Sequence, residues 1–273
     1  MLPARCLRLL FSLCVLCTTA FAVQASHNSS SGDTLMTPAQ LRQVSPPEES
    51  LSATELERRA DELRLQKSYA DALDYYRAAI RKQESSALHN KAGIAQLQLL
   101  RHNEAKKSFQ RALKLDKKNA EARNNLGVIY YIQQNYGRAV KEYKKAIELR
   151  TDSPSFYSNL GTAEFSRRKY EQASVAYLKA LELDPEIFER RSNAGVQMHM
   201  ASPADRAGYH FTIAKMFATR GDAERCLLYL RKAVEEGYPE IGRVYKDAEF
   251  AVVRADPRFA ELMQRRDTLA PPQ

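Results

Sequence analysis

The sequence contains no tryptophan, and only 10 glycines and 11 prolines among 273 residues. A β sandwich needs such residues at every tight turn, so their scarcity argues against that class. Cysteine is scarce too: Cys6, Cys14 and Cys17 fall at the start, and Cys226 stands alone further on. Once the start is removed, one cysteine remains and no intrachain disulfide can form. Absent as well are a phosphate-cradling glycine loop, a His-Glu-x-x-His pair and a Gly-x-Ser-x-Gly elbow. The histidines His27, His89, His102, His199 and His210 are scattered. Met198-His199-Met200 is a soft-metal triplet by chemistry, set against methionines simply packing on the rest of the protein. Carboxylate neighbours such as Asp61-Glu62 diverge by about 100° on a helix and form no dyad. The expectation is no catalytic residue, no metal, no cofactor and no enzyme activity.

Long hydrophobic runs are also missing. The longest, Leu9 to Cys17, falls short of the ~20 residues that cross a bilayer. Arg5 and Arg8 precede it and Ala20-Phe21-Ala22 follows, which is the order of a secretory signal: basic start, apolar middle, small-x-small exit. Residues 1–22 are therefore expected to be a signal peptide, with a retained anchor as the alternative. Leu13 and Leu16 stand where a lipobox wants a small residue, which argues against a lipoprotein. The mature chain is expected to be exported, periplasmic or secreted from a bacterium, with no integral membrane segment. Residues 23–51 are polar and carry Pro38 and Pro46-Pro47, so they are expected to form a flexible linker, with a short helix at Pro38–Val44 as an option.

Charge is plentiful: 42 Lys and Arg against 33 Asp and Glu, a net +9. The two signs are interspersed, as on a solvated, mildly basic surface. The sharper alternative is a preference for anionic partners or lipid headgroups.

What the sequence does have is a period. Ala105, Ala139 and Ala173 are 34 residues apart, and Ala72 lies 33 before the first of them. Gly93, Gly127 and Gly161 keep the same spacing, as do Phe109, Tyr143 and Tyr177, and Ala112, Ala146 and Ala180. Four columns on one period are the mark of a repeat array. The best unit reads Leu126-Gly127, Tyr130, Tyr136, Ala139, Tyr143 and Ala146-Ile147; the next ends on Asp184-Pro185.

This pattern resembles the tetratricopeptide repeat, in which each unit is two antiparallel helices that cannot bury their apolar stripes alone. The resemblance implies an all-α fold: a right-handed α-solenoid of about five units with a C-terminal helical cap. Small residues are expected where Gly127 meets Ala139, and aromatics in the gaps between repeats. Units one to four span residues 52–185. The period then breaks, since Ala173 and its counterpart Cys226 are 53 apart. An insertion is expected at 186–206, with a short helical piece near Ile187–Arg191, then a fifth unit at 207–237 and a cap at 238–266. The order Gly221-Asp222, Glu236-Gly237-Tyr238 and Asp256-Pro257-Arg258-Phe259 resembles the cap of exported bacterial repeat proteins of this family.

The helical period assigns an inward stripe to each first helix: Asn90, Lys91 and Ile94 in the second unit; Asn124, Asn125, Val128 and Tyr131 in the third; Ser158, Asn159, Thr162 and Phe165 in the fourth. Related proteins use Asn at the Asn125 and Asn159 column to bind the backbone of an extended peptide, since an amide both donates and accepts. The alternative is that these amides tie neighbouring helices together. Lys91 and Arg123 add an attraction for acidic residues or a terminal carboxylate. The expected function is a non-catalytic adaptor that holds a protein or peptide in a concave groove. The alternatives are a structural subunit of a cell-envelope assembly and, further off, a nucleic-acid-binding helical repeat. No basic stripe interleaved with aromatics supports the last, so no nucleic-acid partner is expected.

Overall fold

The computed structural model describes residues 44–188 and 203–264. The expected signal peptide, the Pro38–Val44 helix up to residue 43, and Met198, His199 and Met200 lie outside the described residues. Every regular element described is helical, in five pairs: α1 (Ala53–Leu65) with α2 (Tyr69–Lys82), α3 (Ser86–Gln98) with α4 (His102–Leu115), α5 (Ala120–Ile132) with α6 (Tyr136–Leu149), α7 (Pro154–Ser166) with α8 (Tyr170–Leu183), and α9 (Pro203–Thr219) with α10 (Ala223–Glu235). Two 3₁₀ segments, Ile241–Tyr245 and Ala248–Phe250, lead into α11 (Ala251–Arg254) and α12 (Pro257–Gln264). Each helix packs against its pair partner, and in the first four pairs the second helix packs on the first helix of the next pair. This is an α-solenoid.

Local chemistry sets the ends. Ser52 caps α1 in a reciprocal box with Glu55: the Ser52 hydroxyl accepts from the Glu55 N–H at 3.2 Å and the Glu55 carboxylate accepts from the Ser52 N–H at 2.8 Å. Asn119 and Asp222 cap α5 and α10 in the simpler way. The turn inside each pair closes with one residue at positive φ: Lys67, Leu100, Gln134 and Arg168 at φ 57–64°, then Gly221 at 76°. The N–H that follows reaches back five residues, for example Ser68 to the Leu63 carbonyl at 2.9 Å and Arg101 to the Gln96 carbonyl at 2.9 Å. This Schellman arrangement satisfies carbonyls that the helix end leaves open.

The glycine column has a different neighbour from the one expected. A Cβ on Gly127 would lie 2.6 Å from the Tyr143 ring, and the same holds for Gly93 against Phe109 and Gly161 against Tyr177, each at 2.5 Å. The atoms nearest each such Cβ thus belong to the aromatic ring of its own pair's second helix. Each aromatic packs against the first helix of its own unit, and Tyr177 also meets Tyr209 of the next pair, as expected of a residue between repeats. Spacing gave the column but not the direction in which the side chain runs along its helix.

The linker expected at 23–51 ends earlier in its described part. Val44 and Leu51 pack against the first core cluster, the Tyr75 hydroxyl donates to the Ser45 carbonyl at 3.1 Å, and Lys82 donates to the Glu49 carbonyl at 2.6 Å. These residues cover the open end of the first unit, as the terminus of a repeat array requires. At the period break, Asp184–Phe188 form a turn, not the start of a helix, and the rest of the expected piece lies outside the described residues. Phe188 is buried edge-on against Tyr177 and Tyr209, with its carbonyl accepting from the Tyr229 hydroxyl at 2.8 Å. Helix α9 begins at Pro203, ahead of the expected 207. Val244, Phe250, Val253, Phe259 and Leu262 join one core with α8, α9 and α10.

Candidate binding face of the first helices

The helices α3, α5 and α7 lie side by side as the first members of successive pairs, and their polar side chains meet in one line. Asn125 donates to the Asn90 side-chain oxygen at 2.9 Å. Asn159 donates to that of Asn124 at 2.9 Å, and Asn124 donates to Asn125 at 3.3 Å. The four amides form a continuous rail from α7 to α3. A cationic step extends it to α1: Lys91 donates to Glu57 at 2.7 Å and to Asp61 at 2.6 Å. Glu57, Lys91, Asn125 and Asn159 occupy one column at 34-residue spacing, so each first helix hands a polar group back to the helix before it. Amides suit this because each can donate and accept at once.

The rail redistributes the residues expected to face a partner. Asn125, Lys91 and Ile94 are half-buried, and Gln98, Ile132 and Ser166 sit beside them in the same state. Asn90, Asn124, Ser158 and Asn159 are buried, yet polar and bonded. Val128, Tyr131, Thr162 and Phe165 are core residues at 1%, 3%, 0% and 7% exposure, and offer a partner almost no surface. The reason is that each first helix is flanked on both sides, so its inward stripe is narrower than the period alone implies. Thr162 serves the interior: its hydroxyl donates to the Ser158 carbonyl at 2.9 Å and accepts from Tyr177 at 3.2 Å. Tyr131 pairs with the Ser166 hydroxyl at 2.9 Å, and burial pushes its phenol up to about 12.

The two cations expected to attract carboxylates already have them. Burial alone would lower the Lys91 ammonium, but its bonds to Asp61 and Glu57 outweigh this and raise it. Arg123 reaches Glu142 at 3.3 Å and the Lys117 carbonyl at 3.0 Å. The face is therefore close to neutral where those two stand. Asp61 stands out in the sequence only as a neighbour of Glu62, and Glu57 is marked by its 34-residue step to Lys91.

Elsewhere, a cavity of about 670 Å³ opens between α6, α7 and α8, with Tyr157, Leu160, Val175 and Lys179 on its walls; none of the expected groove residues lines it. Among the described residues, no group of three or more His, Cys, Asp or Glu could hold a metal ion. Cys226 is buried, and burial pushes its thiol up to about 12, far from a nucleophilic thiolate at neutral pH. No described helix is long and apolar enough to cross a membrane.

Comparison with known proteins bears on the repeats directly. Residues 90–154 match one family model described as tetratricopeptide repeat, and residues 154–187 match another of the same description. The chain therefore carries tetratricopeptide repeats over that span. No match is found among the curated proteins. Among solved structures, the Cut9–Hcn1 hetero-tetramer of the APC/C is similar at 16% identity and TM-score 0.51, over 78% of this chain and 36% of that one. MamA from Desulfovibrio magneticus RS-1, from residue 41 to its end, is similar at 19% identity and TM-score 0.48, over 74% of this chain and 100% of that one. YrrB, described as a TPR protein with an unusual peptide-binding site, is similar at 18% identity and TM-score 0.46, over 71% of this chain and 92% of that one.

Proposed function

Taking the tetratricopeptide repeats of residues 90–187 as the premise, we propose that this chain is a non-catalytic adaptor. It takes an extended segment of another protein against the face of α3, α5 and α7. The observation that carries this reading is the state of Asn125. It is half-buried and held at both ends, by Asn90 and Asn124, so its orientation is fixed before any partner arrives. It has used one N–H and one lone pair in the rail, and its second N–H and second lone pair are of the kind a peptide backbone satisfies. Ile94, Gln98 and Ile132 beside it supply a half-exposed apolar and amide surface. Because Lys91 and Arg123 are already neutralised, the segment it prefers is uncharged or weakly charged, not acidic. Export of the chain, with cleavage after Ala22, belongs to the same proposal; N-terminal sequencing of the protein recovered from the periplasm or the medium tests it.

A second reading has its own support. The rail's amides satisfy one another, which is what an array with a purely structural role in an envelope assembly would also show. Selection from a displayed library of random extended peptides separates the two. The adaptor reading expects selected peptides whose affinity falls about 10- to 30-fold on Asn125→Ala, one or two hydrogen bonds' worth, with the helical circular dichroism unchanged. If no peptide is selected, or selected peptides bind Asn125→Ala equally well, the structural reading stands instead.

A further inference from the structure

About half of the Lys and Arg among the described residues are engaged with a carboxylate. Arg77 of the first unit meets Glu104 of the second, Arg111 meets Glu84 in the turn before α3, and Arg150 meets Glu121 within the third unit. The outward faces of α4 and α6 depart from that economy. Residues 102–119 and 136–149 together carry ten Lys or Arg against four Asp or Glu. Lys107, Lys114, Lys117, Lys118 and Lys141 are exposed and take part in no ion pair among the described residues. Two of them share the outward side of α4: its buried stripe is Ala105, Phe109 and Ala112, and Lys107 and Lys114 are seven residues apart on the opposite face, with Lys117 and Lys118 in the turn that follows. Lys141 occupies on α6 the place of Lys107 on α4, 34 residues on. The two helices are close neighbours here, since Lys106 from α4 and Arg138 from α6 lie over the same Tyr130 ring at 5.0 and 5.8 Å.

Two leucines interrupt the charge. Leu115 and Leu149 end α4 and α6 at equivalent positions and are 42% and 41% exposed. Leu115 follows Lys114 and is followed by Asp116, Lys117 and Lys118, while Leu149 stands between Glu148 and Arg150.

We infer that the outward face of α4 and α6 docks on an anionic lipid surface. The free cations are lysines, compact point charges on flexible stems, which suit a diffuse sheet of phosphates; a discrete phosphate or carboxylate is better held by the rigid fork of arginine. The ring that stacking on a nucleic-acid base would need, Tyr130, is already covered by Lys106 and Arg138. A protein partner would need a buried aromatic or arginine anchor at the centre of the patch, and lysine is depleted in such centres. An exposed leucine among lysines, as Leu115 is, fits the headgroup boundary, where the apolar tip enters and the ammonium stays among phosphates, and Leu149 adds a second apolar tip at the equivalent place. The face is separate from the amide rail, so docking there leaves the first helices open.

Vesicle flotation of the full chain tests this, with phosphatidylcholine alone and with about 30% phosphatidylglycerol added. The inference expects binding to the second that weakens steeply with salt. The combined Lys107→Gln, Lys114→Gln and Lys141→Gln variant should lose about 100-fold in affinity for the anionic vesicles, each lysine contributing about fivefold. Leu115→Ser with Leu149→Ser should cost about a further tenfold at unchanged charge. All five positions are at least two-fifths exposed or carry no ion pair, so unchanged circular dichroism is expected throughout. An unchanged affinity in the lysine variant overturns the inference, as does equal binding to both vesicle types. Displacement by millimolar glycerol phosphate overturns it in favour of a discrete phosphate site. Insensitivity to the leucine pair, with single-stranded RNA bound as tightly as the vesicles, overturns it in favour of a nucleic-acid surface.

Discussion

Tyr76, Tyr143 and Tyr177 occupy one column of the array and all three are at 0% exposure, but their hydroxyls meet different fates. Tyr76 donates to Asp61 at 2.6 Å, and Tyr177 donates to Thr162 at 3.2 Å. The Tyr143 hydroxyl is buried with no hydrogen-bond partner. Where the fourth unit has Thr162, the third, 34 residues earlier, has Val128. A buried unsatisfied hydroxyl costs about 1–3 kcal/mol, so deleting it should help. Tyr143→Phe is expected to raise unfolding stability by about 1 kcal/mol, while Tyr177→Phe lowers it by about the same. Val128→Thr should stabilise the parent and not the Tyr143→Phe variant, because its hydroxyl then has no partner to accept from. Urea unfolding with unchanged m-values measures all three. Equal losses from the two Tyr→Phe changes would sink this account. The column of aromatics was legible from spacing alone; the hydroxyl's partner was not, since it depends on a residue in another helix. The same limit hid the rail: Asn125 and Asn159 stood out in the sequence, but not that Asn124 and Asn90 are the groups they hold.

At the scale of the element, the turns inside each pair show which signals a sequence hides. Gly221 announces its positive φ because glycine is the usual occupant of that position. Lys67, Leu100, Gln134 and Arg168 adopt the same conformation without glycine, at φ 57–64°, and nothing in their side chains signals it. Left-handed backbone costs a non-glycine residue roughly 1 kcal/mol, here offset by the Schellman hydrogen bonds. Leu100 is 70% exposed, so its side chain contributes little packing in return. Leu100→Gly is expected to stabilise the array by about 1 kcal/mol, less a few tenths for the added freedom of the unfolded chain. Thermal unfolding reads this as an upward shift of Tm; a downward shift would mean that the Leu100 side chain packs more than its exposure implies. Glu84, in the turn between α2 and α3, yields a pH dependence. Its hydrogen bonds to Arg111 and then His89 hold its carboxyl down at about 2. A carboxyl lowered from its ordinary 4.5 adds stability above that value and loses it as pH falls toward about 2. Arg111→Gln should therefore shrink the acid-induced fall in Tm across that window and leave the slope above pH 5 unchanged.

Across the whole molecule, the buried residues fall into separate clusters, not one core. Leu56 to Ala95 form one, Leu97 to Ala163 another, and the largest gathers α8, α9, α10 and the C-terminal segments. Stacked repeats contact only their neighbours, so stability is a chain of local terms linked through interfaces. The period announced this linear layout for the first four units. The C-terminal block was less legible, because its helices are short and its apolar residues, Val244, Phe250, Val253 and Phe259, follow no repeat. They are legible only as the surface that must cover α9 and α10. Phe250 sits at 0% exposure with its ring 5.3 Å from Phe211 of α9. Phe250→Ala is expected to cost about 3–5 kcal/mol, a burden that falls on the last pair and the C-terminal segments packed on it. Hydrogen exchange followed by peptide should then show lost protection from α9 to α12, a graded loss in α8, and near-parent protection in α1 to α4. The layout predicts this decay with distance because the penalty must cross three unit interfaces to reach the first two units. Uniform loss of protection from α1 to α12 would show that the array unfolds as one cooperative unit, and the separate clusters would then have no thermodynamic meaning.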